Sequence, residues 1–67
     1  MEHFTLPNAE EPADALAAVV ALRRIADNLE LRAVANALRD GWTWARIAEA
    51  LGVSKQAAHK RLAPLVS

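Results

Sequence analysis

The stretch Gly41–Leu62, GWTWARIAEALGVSKQAAHKRL, constrains what this 67-residue chain can fold into more than any other part of it. Trp44, Ile47, Ala48 and Leu51 recur at helical spacing, so a short helix here has one apolar face. Thr43 stands where an N-cap belongs, its hydroxyl able to accept an N–H that the first turn leaves unpaired. Gly52 follows, the residue type that lets a helix close in the left-handed conformation. Val53 is expected to point inward. Ser54 can cap a second helix from Lys55 to about Ala63. Pro64 is expected to stop that helix, because proline has no N–H to give and its ring collides with the carbonyl one turn back.

Two helices joined by so short a turn must cross closely, and Ala48 is small enough to allow it. Ala57, Ala58 and Leu62 are expected on the inner face of the second helix, leaving Lys55, Gln56, His59 and Lys60 outside. A helix with long, donor-rich side chains on its free face can enter the major groove and touch base edges. The pattern W-x-x-I-A-x-x-L-G-V-S-x-Q-A-x-x-K-R resembles the helix-turn-helix of sigma-factor region 4 and of small actinobacterial DNA-binding regulators. Ala58 departs from it, standing where many such sequences carry Val or Ile. The resemblance permits a regulator or a nucleoid-associated protein, and with no signal-peptide pattern the expected location is the cytoplasm, at the nucleoid.

In that geometry Lys55 and Gln56 open the reading helix. Lysine can donate to guanine O6 and N7, and glutamine can pair with adenine N6 and N7. His59, one turn on, is a third candidate for a base contact, or an ordinary surface histidine. Thr43, Arg46, Ser54, Lys60 and Arg61 are the phosphate candidates. The first and third lie at helix N-termini, where N–H groups and the dipole attract anions. Arg61 has the alternative of laying its stem on the core. Trp44 is expected in the core, and Trp42 is expected either to pack over the end of the preceding helix or to bond a phosphate through its indole N–H.

The formal net charge is zero, which by itself argues against a polyanionic partner. The distribution reverses the argument. Residues 1–22 carry Glu2, Glu10, Glu11 and Asp14 and no Lys or Arg, whereas residues 43–67 carry Arg46, Lys55, Lys60 and Arg61 against Glu49 alone.

Upstream the chain divides into an arm, residues 1–11, and a long helical pattern, residues 12–40, before the 41–67 unit. Phe4 and Leu6 are the arm's candidates for packing on the body. Pro12 suits a first helical turn, Asp14 favours the positive end of the helix dipole, and Gly41 ends the pattern. The segment has two apolar faces. Leu16, Val20, Leu31, Val34, Ala35 and Leu38 cluster on one side, and Ala18, Leu22, Ile25, Leu29 and Ala33 on nearly the opposite side. One side must hold the C-terminal unit. Nothing else in 67 residues can cover the other, so Ala18, Leu22, Ile25 and Leu29 are expected at a homodimer interface. A rival arrangement exists: Asp27 and Glu30 have the spacing of a capping box, and a break there would give two shorter helices that fold back on each other.

The expected fold is therefore all-α: a long N-terminal helix, kinked or broken near Asp27 or continuous, packed on a helix-turn-helix and dimeric. A chain this short buries only about 60% of its unfolded surface. It has no cysteine to staple it, so self-association is the remaining common source of core. The same lack, with no Gly-rich phosphate loop and no carboxylate pair in an apolar setting, argues against an enzyme. No cofactor, metal or small-molecule ligand is implied, His3 and His59 being the only histidines. There is no signal-peptide pattern, and the apolar run 15–22 is too short to span a bilayer. Double-stranded DNA and a second copy are the expected partners. The alternative function is a three-helix protein-docking module in a transcription complex, which would want an apolar outer face on the last helix.

Overall fold

The structure, a computed structural model, describes residues 10–66. The arm expected over 1–11 therefore lies outside the described residues except for Glu10 and Glu11, and so do His3, Phe4 and Leu6. The described chain is three helices and no strand: α1 Pro12–Arg39, α2 Trp44–Leu51 and α3 Lys55–Val66.

α1 begins where proline's fixed φ is an advantage, with Pro12 in the first turn, Asp14 beside the positive dipole end and Ala15 N–H donating to Glu11 O at 2.9 Å. It runs unbroken through Asp27 and Asn28, so the two-helix alternative is not taken. Residues 13–40 contain no Gly or Pro and are rich in Ala, Leu and Arg. Continuing the ladder through such residues costs less than opening four N–H groups for a mid-helix cap to satisfy.

Both helix-to-helix junctions close the same way. After α1, Gly41 adopts φ +88°. Its N–H donates to Leu38 O at 3.0 Å, and Trp42 N–H donates to Ala37 O at 2.9 Å. After α2, Gly52 adopts φ +74°. Here Gly52 N–H reaches Glu49 O at 3.2 Å and Val53 N–H reaches Ala48 O at 3.0 Å. This paired closure satisfies the last carbonyls of each helix and needs a left-handed residue that glycine supplies without a Cβ penalty. It also corrects one expectation. Val53 is 40% exposed rather than pointing inward, because its role in the closure is played by its backbone N–H.

The core is small. Val34 of α1, Ile47 and Ala48 of α2, and Ala58 and Leu62 of α3 are buried. Leu31, Ala37, Leu38, Trp42, Trp44 and Val66 pack against Val34, Ile47 and Leu62. Trp44 and Trp42 thus both sit at the core's edge. Ala57, expected on the inner face of α3, is exposed, and Ala58 and Leu62 carry that face. Pro64 does not stop α3, which runs two residues further, to Val66. Proline here forfeits one backbone bond near the helix end, and Val66 packing on the core offsets that loss.

Only the C-terminal part of α1 is used in this way. Leu16 and Val20 share the azimuth of Val34 and Leu38 yet are exposed, as are Ile25 and Leu29 on the other side. At 1.5 Å per residue α1 is about 42 Å long, matching the molecule's 43 Å longest dimension. The radius of gyration is 15.0 Å, against about 11 Å for a compact domain of this length. The N-terminal part of α1 accounts for the difference.

Candidate nucleic-acid interface

The residues with the strongest functional signal are gathered at the start of α3 and along its free side. Ser54 Oγ accepts from Ala57 N at 3.1 Å and fixes the first turn. From that cap Lys55, Gln56, His59 and Lys60 project to solvent and together line one shallow depression on the helix surface. Neither Lys55 nor Lys60 has a carboxylate partner among the described residues. The face therefore presents two free ammonium groups, an amide with both donors and acceptor, and an imidazole, all within two turns.

His59 is less of a free surface group than its sequence position indicates. Its ring stands edge-on to Trp44 of α2, centroids 5.2 Å apart and planes 76° apart. Trp44 is itself packed on the core, so the imidazole is held from behind while remaining exposed. Arg46 is held in a similar way. Its guanidinium lies 3.6 Å from the Trp42 ring centroid, a cation–π stack that keeps it spread on the molecule's surface. Its backbone N–H is bonded to Thr43 Oγ1 at 3.1 Å, the cap of α2. Each tryptophan thus has one side toward the core and another under a polar residue of the candidate face. The Trp42–Arg46 pair is close in sequence, but Trp42 precedes the N-cap of α2, so helical spacing does not announce the contact. The Trp44–His59 pair joins two helices across a turn, and no local pattern announces it.

Arg61 behaves differently from the other phosphate candidates. It makes a two-pronged ion pair with Glu30 of α1, Nη1 to Oε1 at 2.6 Å and Nη2 to Oε2 at 3.2 Å. The hydrogen bond from Arg61 draws the Glu30 carboxyl below its ordinary pKa, against the opposing effect of desolvation, and the same bond raises the Arg61 value. Arg61 thus bridges α3 to α1, and its side chain lies at the surface. A phosphate role would require it to leave Glu30.

The remaining candidates lie elsewhere. Ala18 and Leu22 are half-buried and Ile25 and Leu29 exposed, on the side of α1 away from the core. Among the described residues no polar or charged side chain is buried, and no helix is long and apolar enough to cross a membrane. Comparison with protein-family models, with curated proteins and with solved structures finds no match to this chain.

Proposed function

We propose that this chain is a sequence-reading, duplex DNA-binding protein that works as a homodimer. In this reading α2 and α3 form a helix-turn-helix of the kind that region 4 of sigma factors uses, with α3 in the major groove. Lys55, Gln56 and His59 meet base edges. Lys60, Arg46 and the N-termini of α2 and α3 at Thr43 and Ser54 meet phosphates. The protein acts as a nucleoid-associated protein or a transcription regulator at short, pseudo-palindromic sites.

The observation that carries the reading is the free face of α3: polar, donor-rich, without a carboxylate, and built on a helix whose other face holds the buried Ala58 and Leu62. The buried centre of a protein-docking face is depleted in charged residues, Lys among them. The anchoring of His59 and Arg46 on tryptophans adds support, because groups held in place lose less entropy on binding.

Titration of duplex DNA at increasing salt tests it. A dimer that neutralises about six to eight phosphates gives a slope of log K against log salt of about −5 to −7. A slope near zero, or binding no tighter to duplex than to a neutral polymer, overturns the reading.

A further inference from the structure

We propose that two copies of this chain pair through α1 in an antiparallel coiled coil whose two-fold axis passes between Arg23 and Arg24. This takes up the homodimer of the preceding section and gives it a direction and a register.

The sequence along the far side of α1 alternates steps of three and four residues: Ala15, Ala18, Leu22, Ile25, Leu29, Arg32. That is the seam of a coiled coil, and α1 is one continuous helix over all of it. Ile25 and Leu29 on this seam are 61% and 63% exposed, a large apolar surface with no cover in the described chain. The core-facing side of α1 points away from it, so the α2–α3 unit does not obstruct a second helix.

Size and charge select the antiparallel arrangement. With the axis between residues 23 and 24, Leu22 lies level with Ile25 of the second copy, and Leu29 lies level with its Ala18. Leucine then meets alanine at both ends, and the two Leu22–Ile25 pairs meet in the middle. Asp14, one position outside the seam, and Arg32, its last residue, stand about five helical turns apart and lean to the same side of the seam. The two-fold operation brings Asp14 of one copy to within about one residue rise of Arg32 of the other, on the same flank, twice per dimer. Neither has an ion-pair partner among the described residues. Ala15, level with Arg32 of the second copy, leaves room for its stem. Arg23 and Arg24, nearest the axis, point to either side away from the seam. A parallel pair would instead set alanine against alanine at one end, leaving a gap, and bring the two Arg32 groups level at the other.

Because the chain contains no cysteine, an introduced one is unique. The experiment uses the full chain without DNA, so that its result is independent of whether the protein binds a duplex. A18C and L29C are prepared separately and as an equimolar mixture, and each sample is oxidised gently. In the antiparallel register each introduced cysteine lies about 16 Å along the axis from its own copy, beyond the ~7 Å Cα separation that a disulfide spans. The single variants are expected to remain without a cross-link, and the mixture to give the A18C–L29C disulfide. A covalent dimer from A18C alone, or no product in the mixture, overturns the register, and a wild-type chain that sediments as a monomer at tens of micromolar overturns the pairing itself. The exposed charges supply a second reading at positions outside the core: D14R and R32D each weaken association several-fold, and the double variant restores it. Failure of the double variant to recover overturns the Asp14–Arg32 pairing and with it the register.

Discussion

Glu30 and Arg61 show how one residue pair ties the candidate reading helix to the rest of the molecule. Glu30 sits one turn before the buried Val34, and Arg61 is adjacent to the buried Leu62, so their bond braces the edge of the core. Because the Glu30 pKa is lowered in the folded chain, the stability it contributes is fully present above the ordinary glutamate value and is lost as pH falls through the lowered one. The raised Arg61 value contributes nothing further to this dependence until strongly alkaline pH. Urea midpoints of the wild type and of Glu30→Gln should therefore differ near neutrality and converge toward acid pH. On the candidate DNA face, residues that read should separate from residues that hold. Lys55→Ala and Gln56→Ala are expected to cost about 1–3 kcal/mol on the best site and to relax base preference. Lys60→Ala and Arg46→Ala should weaken specific and random duplexes alike. Competition titrations with both kinds of DNA check this, and equal losses for all four would remove sequence reading from α3.

At the level of elements, α3 carries a local conflict that the core overrides. Pro64 lies within the helix, where it leaves the carbonyl one turn back without its N–H partner. Pro64→Ala restores that donor and should raise stability by about 1–3 kcal/mol, read as a higher melting temperature with unchanged DNA preference. The same conflict explains a misplaced helix end. Local rules put the stop at Ala63, since nothing near Pro64 in sequence reveals that Val66 has a core to pack against. The ends of α1 and α2 were legible because Gly41 and Gly52 are the residues their closures require. Thr43 and Ser54 were legible as caps for the same kind of reason: a hydroxyl bonding to the N–H three residues on is a local event.

For the whole molecule the governing fact is the size of the core. Among the described residues, five buried ones and a half-covered long helix leave little margin for a lone chain. If association through α1 supplies the rest, folding and pairing are linked, and the melting temperature should rise with protein concentration. Leu29→Asp should lower it and abolish the concentration dependence, by placing a charge in the seam. Melting curves over a hundredfold concentration range test both. The breadth of action follows from the same economy. Under the proposed function, two or three base-reading side chains per copy would define a short site, so specificity over random DNA should fall near the low end of the ~10³–10⁷ range. Genome-wide occupancy is expected to show many sites with small effects at most of them. A profile confined to a few strongly regulated promoters would point instead to a dedicated repressor.

The division between sequence and tertiary structure follows the range of the forces involved. Helix content, the two glycine closures, the two hydroxyl caps and the outward set Lys55, Gln56, His59 and Lys60 depend on spacing along a helix and on single-residue chemistry, so they could be read from the string of residues. Whether α1 breaks at Asp27 depended on a competition between a local cap and a continuous ladder, and the local signal alone overstated the cap. The outward turn of Val53, the exposure of Ala57, the Trp44–His59 contact and the Glu30–Arg61 bond were decided only when three helices met. Each depends on residues far apart in sequence or on which side of a helix finds a neighbour. Packing is many-body and short-ranged in space, and a periodic pattern names the face that must be buried without naming the atoms that bury it.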